Sequence, residues 1–257
     1  MSPYATGQRN CFRIFVPRPE AQLRLVCFPG AGAGANLFRR WLDVLPPSIE
    51  LVAAQYPGHE DRYNEAFISD MAVLADEIGR DVPSIGAPMA FFGHSLGATI
   101  AFEVALRLRP RFPLPIVRLF VSARKAPADC HPNGHAFMDD AAMKRAYIRN
   151  LPGAHVPAVE DELWQAIGSA IRNDLLISER YHYLAGSRLT CPITALVAEQ
   201  DETLITLPDV QRWAECTILD CDSHALPGGH LYWQDDPAAL ISFLVAKLQS
   251  SLRAERS

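Results

Sequence analysis

The sequence predicts the α/β class, with a mostly parallel central sheet flanked by helices. Three observations carry that expectation. Short apolar runs alternate with stretches of helical periodicity along most of the 257 residues, the pattern of a parallel sheet covered on both faces. One run, Pro88-Met89-Ala90-Phe91-Phe92, passes straight into a helical stripe through Gly93-His94-Ser95-Leu96-Gly97. Residues 128–186 break the alternation, with helical periodicity and no strand-like run. Connections in such folds are usually short, so this stretch reads as a helical cap inserted into a single domain spanning 1–257.

Residues 1–10 are polar and expected to be poorly ordered. Strands are expected at 12–16 and 23–28, the second leading into Pro29-Gly30-Ala31-Gly32-Ala33-Gly34-Ala35. A loop of such small residues lets backbone N–H groups approach an anion closely. It lacks the Lys-Ser/Thr ending of a nucleotide loop, and its spacing is not Gly-x-Gly-x-x-Gly. A helix carrying Leu37, Trp41, Leu42 and Leu45 follows, then a strand at 49–54. The next helix starts at Ser69, an N-cap type, and places Met71, Leu74, Ala75, Ile78 and Val82 on one face. Behind Gly97, the residues Ile100, Ala101, Val104, Ala105 and Leu108 form the next stripe, and 116–121 is a further strand. Met143, Tyr147, Leu163, Ile167, Ile171 and Leu175 mark the helices of the cap. Strands resume at 193–198 and 217–221, with a helix at 207–214 between them. The final helix is capped by Asp236, takes Pro237 at its first position, and buries Leu240, Ile241, Leu244, Val245 and Leu248.

A net charge of −5 argues against non-specific nucleic-acid binding, which requires a basic footprint. Cys11, Cys27, Cys130, Cys191, Cys216 and Cys221 are irregularly spaced and contain no Cys-x-x-Cys pair. With no signal-peptide pattern at the start and no long apolar run, the expectation is a reduced, cytoplasmic protein without membrane contact, and a monomer.

A strand entering a helix through Gly-x-Ser-x-Gly is the nucleophile elbow of α/β-hydrolases, and it makes Ser95 the candidate nucleophile. The turn strains the nucleophile's backbone, so small residues are required two before and two after it, where Gly93 and Gly97 stand. A serine hydroxyl needs a base, and the base needs an orienting acid. In this fold the order along the chain is Ser, then Asp or Glu, then His. Of the eight histidines, His230 fits best, in a Gly-rich loop between the last strand and the last helix; His224 is a weaker rival. His94, beside Ser95, is expected to point away from the substrate side. Asp201 directly follows the 193–198 strand, with Glu199 and Glu202 competing for the acid role. Asp220, Asp222 and His224 lack a convergent fourth ligand, so no metal site is expected.

The chain resembles the type II thioesterases, the stand-alone editing thioesterases of polyketide and nonribosomal peptide assembly lines. The likeness rests on Phe28-Pro29-Gly30-Ala31-Gly32, Tyr56-Pro57-Gly58-His59-Glu60-Asp61-Arg62, Gly93-His94-Ser95-Leu96-Gly97-Ala98, Ser122-Ala123-Arg124-Lys125-Ala126-Pro127 and Gly228-Gly229-His230. Ile171-Arg172-Asn173-Asp174, with Tyr181 and Tyr183, extends it into the cap. The resemblance implies Ser95, Asp201 and His230 as a catalytic triad and the N–H groups of Ala31 and Leu96 as an oxyanion hole. It further implies no cofactor, and an acyl or peptidyl carrier protein as partner, its acyl group held on phosphopantetheine. Arg124, Lys125, Arg145 and Arg149 are candidates for meeting such an acidic carrier. The chain departs from the family in having Gly30 where His or Tyr is usual, Ala33 where Gly is usual, and no Gly before the acid. Gly30 is expected to widen the entrance. The competing readings are an esterase or lipase of the same fold, a non-catalytic binding protein, and an acyl transferase sharing the first half-reaction.

Overall fold

Apolar runs buried on both faces can form only the interior of a covered sheet, and that is where they lie. The computed structural model describes residues 11–82, 88–108, 116–149, 161–201, 203 and 205–254; residues 1–10 lie outside this set. The strands are β1 (Phe12–Arg13), β2 (Leu23–Phe28), β3 (Ile49–Ala54), β4 (Met89–His94), β5 (Ile116–Ser122), β6 (Ile193–Ala198) and β7 (Cys221–Leu226). They form one sheet in the order β1-β3-β2-β4-β5-β6-β7. Only β1 pairs antiparallel, against β3, and every other neighbour is parallel.

Side chains alternate across each strand, which β4 illustrates. Met89 and Phe91 join a core that also holds Leu74, Ile78, Ile100 and Val104 of helices α1 (Met71–Asp81) and α2 (Leu96–Leu108). Ala90 and Phe92 face the opposite core, with the 3-10 helix Ala35–Asp43 and the last helix. Phe92 meets Trp41 at 5.0 Å between ring centroids, and Phe38 stacks on Trp233 at 5.6 Å. This aromatic cluster lies under the end of β4 from which the elbow springs.

Between β5 and β6 come α3 (Asp140–Arg149) and α4 (Asp161–Arg180). Helix α4 is tied to the body at its C-terminal end and along its side: Arg124 donates to Ser178 Oγ at 2.9 Å, Tyr181 to Glu103 at 2.8 Å, and Asn173 to the Ile68 carbonyl at 3.0 Å. After β6 come α5 (Leu207–Gln211), the short α6 (Tyr232–Asp235) and α7 (Pro237–Ala254). Asp236 caps α7 as expected, accepting from the N–H groups of Ala238 and Ala239. All six cysteines are free, and among the described residues no helix is long and apolar enough to cross a membrane.

Four elements differ from expectation. The last strand is Cys221–Leu226 instead of 217–221. Ile218 and Leu219 are exposed, while the strand proper, Cys-Asp-Ser-His-Ala-Leu, lies half-buried at the sheet edge and carries no apolar run. The first strand ends at Arg13, short of the exposed Val16. Asp70, one residue after Ser69, caps α1 by accepting from Val73 N–H, and Ser69 instead donates to Asn173. The helix after the Gly-rich loop is 3-10.

Replacing Phe92 with Ala should remove about 3–5 kcal/mol of stability, as large-to-small changes in closed cores do. Urea unfolding checks this, and a loss below about 1 kcal/mol would show that the aromatic cluster relaxes around the gap.

Candidate active site

The chain leaves β2 toward β3 on one side of the sheet, while β4 leads to β5 on the other. The crevice between the carboxyl ends of β2 and β4 is therefore the switch point where ligands bind in open α/β sheets. The loops after β2, β4, β6 and β7 carry Ala31, Ser95, Asp201 and His230, and all four open at this same end.

Ser95 has φ +52°, the left-handed region that disfavours a side chain, as the elbow reading requires. Its N–H donates to the Ser122 carbonyl at 2.8 Å. The turn is closed so tightly that a Cβ on Gly93 would lie 2.4 Å from the Gly97 carbonyl oxygen. A Cβ on Gly97 would lie 2.2 Å from that of Phe28 and 2.5 Å from that of Pro29. Those partners are backbone and cannot turn aside, so the elbow and the loop after β2 are packed main chain to main chain. At Gly30 a Cβ would meet Ser95 Cβ at 3.4 Å, an ordinary contact. A side chain could stand there, and its absence leaves room beside the serine.

The N–H groups of Ala31 and Leu96 have no hydrogen-bond partner among the described residues. Their neighbours in the loop are engaged: Ala33 N–H donates to the Gly30 carbonyl at 3.1 Å, and Gly32 N–H to Asp174 Oδ2 at 2.8 Å. Leu96 N–H opens α2, where the first turn has no intrahelical acceptor.

His230 Nδ1 donates to Asp201 Oδ2 at 2.9 Å, and the Asp201 side chain is fully buried. Its other oxygen accepts from the N–H and hydroxyl of Thr203 at 2.8 and 2.7 Å. Burial pushes the Asp201 pKa up, but the His230 hydrogen bond and charge, together with the Thr203 donors, outweigh it and hold the carboxyl below its usual value. Two main-chain bonds join the acid and base loops: Glu199 N–H to the Leu226 carbonyl and Gln200 N–H to that of Gly228, both 2.9 Å. The Gln200 side chain adds a third by accepting from Gly228 N–H at 2.6 Å. Glu199 is exposed, and Glu202 lies outside the described residues.

The rival base, His224, sits within β7. It donates to Asp222 at 2.8 Å, and Asp222 also accepts from Lys247 and Thr194. His94 turns inward. Its ring is buried and lies 4.8 Å from that of His230 between centroids, beneath the base. Nδ1 of His94 contacts Ser122 Oγ at 3.1 Å, which in turn contacts Tyr232 OH at 3.0 Å. Burial, then the charge of His230, drives the His94 pKa well below its ordinary value, so this ring is neutral. Ser95 and His230 do not hydrogen-bond here; nucleophile–base contacts of this type tighten when substrate is engaged.

A second Asp–His pair, which sequence reasoning missed, adjoins the loop after β2. His59 Nε2 lies 2.9 Å from Asp174 Oδ2 and Nδ1 lies 3.0 Å from the Pro57 carbonyl, with both side chains buried. The motif residues were visible, but nothing in the sequence indicates that positions 115 residues apart touch. Tyr56 of that motif and Gln55 just before it also brace the loop. Tyr56 OH donates to the Pro29 carbonyl at 3.1 Å, and Gln55 accepts from Ala35 N–H at 2.9 Å. Burial lowers the His59 pKa, yet the hydrogen bond and charge of Asp174 and the Pro57 carbonyl more than reverse it, and the net shift is upward. Between α4 and the segment before α1, Phe67, Ser69, Trp164, Arg172, Asn173 and Leu176 line a cleft of about 450 Å³ that does not include Ser95, Asp201 or His230.

Of the four cations considered for a carrier surface, Arg124 is committed inward, to Thr99 and Ser178. Lys125 pairs with Asp209 at 3.2 Å. Arg145 is exposed on α3, and the Arg149 side chain lies outside the described residues.

A strained serine at the strand–helix turn, a buried Asp–His pair on the last two strand exits and two N–H groups beside the serine, unpaired among the described residues, define the α/β-hydrolase class. The thioesterase-domain family profile matches residues 23–248, and the chain belongs to that family of thioester hydrolases. Thioesterase PikA5 of Streptomyces venezuelae is 36% identical over 226 residues, covering 87% of this chain and 80% of the relative. The type II thioesterase BorB from the borrelidin biosynthetic cluster is similar in structure, with TM-score 0.84 and 31% identity, covering 95% of this chain and 100% of BorB. RedJ, the thioesterase of the prodiginine pathway in Streptomyces coelicolor, superposes with TM-score 0.78 at 32% identity, over 89% and 87% of the two chains.

Gly97→Ala should destabilise the fold by about 1–3 kcal/mol or more, since its Cβ would strike fixed backbone; a thermal melt reads this directly. His59 makes a pH-dependent contribution. Its pKa is raised on folding, so the stabilisation is full below the unfolded value of about 6.5 and fades as pH rises through the folded value. The groups facing it are Asp174 and Glu60, with the Tyr56 and Phe67 rings beside it. The melting-temperature gap between wild type and His59→Gln should therefore be widest near pH 6 and narrow toward pH 9. A gap independent of pH would mean that the ring enters the fold uncharged.

Proposed function

We propose that this chain is a stand-alone editing thioesterase, removing acyl groups from the phosphopantetheine arm of acyl or peptidyl carrier proteins. The observation that carries the reading is the 2.9 Å contact of His230 with Asp201 beside the strained Ser95 elbow. The names of its relatives, from borrelidin and prodiginine biosynthesis, support the substrate class. The six unpaired cysteines are compatible with a reducing, cytoplasmic location.

In this reading Ser95 Oγ attacks the thioester carbonyl carbon while its proton passes to His230 Nε2. The carbonyl electrons move onto oxygen, which is held by the N–H groups of Ala31 and Leu96. Losing one such donor typically costs about 3 kcal/mol of transition-state stabilisation. Asp201 fixes the imidazole with its proton on Nδ1 and stabilises the imidazolium that forms. The intermediate collapses by breaking the C–S bond, and the pantetheine thiolate leaves with the proton from His230. A thiol of pKa about 8.5 departs more readily than an alkoxide. Water, deprotonated by His230, attacks the acyl-serine, and the acid and free Ser95 result. Helices α3 and α4 serve as the cap that shapes the acyl pocket and excludes water.

Mass spectrometry of a panel of acylated carriers tests this. Wild type should release the acyl group, and Ser95→Ala should lose about 10⁶-fold in rate while remaining folded. His230→Ala should be comparably impaired, with His224→Ala close to wild type. Faster turnover of a matched oxygen ester than of the thioester would point to an esterase, and near-normal turnover by Ser95→Ala would remove the mechanism.

A further inference from the structure

We infer that the buried His59–Asp174 pair is a positioning device for the oxyanion hole, holding the loop after β2 in register while cancelling its own charge. The inference rests on the mechanism above, in which Ala31 N–H receives the substrate oxygen.

Both nitrogens of His59 face acceptors: a carbonyl oxygen at Pro57, which can only accept, and a carboxylate at Asp174. A ring donating from both nitrogens is an imidazolium. Asp174 Oδ2 accepts a second bond, from the N–H of Gly32 at 2.8 Å. Gly32 is the residue directly after Ala31, so the Ala31–Gly32 peptide plane, one Cα away from the plane that carries Ala31 N–H, is set by a side chain reaching over from α4. The same residue is pinned sterically. Gly32 has φ +73°, and a Cβ there would lie 2.2 Å from Ile171 Cγ1, one turn before Asp174 on the same helix. Asn173, between them, ties α4 to Ser69 and the Ile68 carbonyl. Helix α4 thus holds the loop from one side, and the elbow holds it from the other through Gly97 and Gly30.

A carboxylate this close to an oxyanion site would oppose catalysis by itself, because the substrate oxygen becomes negative in the transition state. The imidazolium removes that penalty. His59 and Asp174 therefore do two separable things: the acceptor oxygen aims the loop, and the ring neutralises the acceptor. Neither touches substrate, so both are positioning residues.

The two roles give different variants different signatures. Asp174→Ala removes the acceptor and should lower kcat about 10- to 100-fold, less than the full loss of a donor, with KM within about twofold. Asp174→Asn keeps an oxygen for Gly32 N–H, to which a neutral His59 can still donate from Nε2 while giving up the Pro57 contact, so it should recover most of that loss. His59→Gln leaves an unneutralised carboxylate and should lower kcat by a similar factor, whereas His59→Gln with Asp174→Asn should recover at least about fivefold over it. Kinetics with an acyl thioester are read beside affinity for two inhibitors. One is a trifluoromethyl ketone, which forms an oxyanion on Ser95, and the other a thioether analogue, which does not. Ketone affinity should fall in step with kcat while thioether affinity stays fixed. If KM and both affinities shift together, or the double variant is no better than His59→Gln, the pair only clamps the cap and the inference is overturned. Wild-type kcat in folded Asp174→Ala overturns it as well. Wild-type protein inert toward every acyl thioester, or indifferent to Ser95→Ala, would instead sink the hydrolase mechanism.

Discussion

The structure depends on a close approach of two stretches of main chain. The turn after β4 and the loop after β2 meet without side chains between them, at Gly97 against the Phe28 and Pro29 carbonyls. That contact places two N–H groups, without a partner among the described residues, next to a serine held at positive φ. A non-glycine residue in this conformation costs on the order of 1–3 kcal/mol and persists only where its surroundings over-determine it. Here they do. Strand β4 is central in the sheet, its side chains are buried on both faces, and Phe92 sits in an aromatic cluster with Trp41, Phe38 and Trp233. Trp233 follows His230 by three residues, so the cluster beneath Ser95 also anchors the loop that carries His230.

The described residues contain three Asp–His pairs of nearly equal length, and their surroundings give them different characters. Asp222–His224, at 2.8 Å, is a third exposed on an edge strand and shared with Lys247, which makes it an ordinary surface cluster. Asp201–His230, at 2.9 Å, is buried at the acid and slightly open at the base, and a ring so placed can exchange protons with a neighbour. Asp174–His59, also at 2.9 Å, is closed on both members, with every ring nitrogen occupied. Such a ring has no free nitrogen with which to shuttle a proton. Distance alone does not separate these pairs; solvent access and the second partner of each imidazole do.

What the sequence made legible follows the same physics. Strands buried on both faces appear as continuous apolar runs, so β2, β3, β4, β5 and β6 were readable. The elbow was readable because only glycine fits at Gly93 and Gly97, and α7 because Asp236 and Pro237 announce its start. β7 was misplaced because an edge strand facing solvent needs no apolar signal, and the exposed Ile218 and Leu219 imitated one. Asp201 could be preferred over its acidic neighbours only by its place after β6, since nothing local records that Thr203 and His230 would satisfy both its oxygens. Arg124 looked like a surface cation until folding brought Thr99 and Ser178 to it. His59 and Asp174 lay in recognisable motifs, but a tie between a loop and a distant helix has no local pattern at all.

A buried ion pair is a poor choice if stability is the only requirement, because well-packed apolar residues of equal volume usually do as well or better. Stability therefore does not account for an imidazolium and a carboxylate between α4 and the loop after β2. Direction does. An apolar contact such as Ile171 on Gly32 fixes distance but tolerates rotation of the peptide, whereas a carboxylate accepting from Gly32 N–H fixes the plane. That plane adjoins, across the Ala31 Cα, the one that carries Ala31 N–H, and hydrogen bonds weaken steeply with angle. Helix α4 and the loop after β2 are thus coupled through one oxygen atom. A displacement of α4 large enough to break that bond would leave the loop to the elbow, Tyr56 and Gln55.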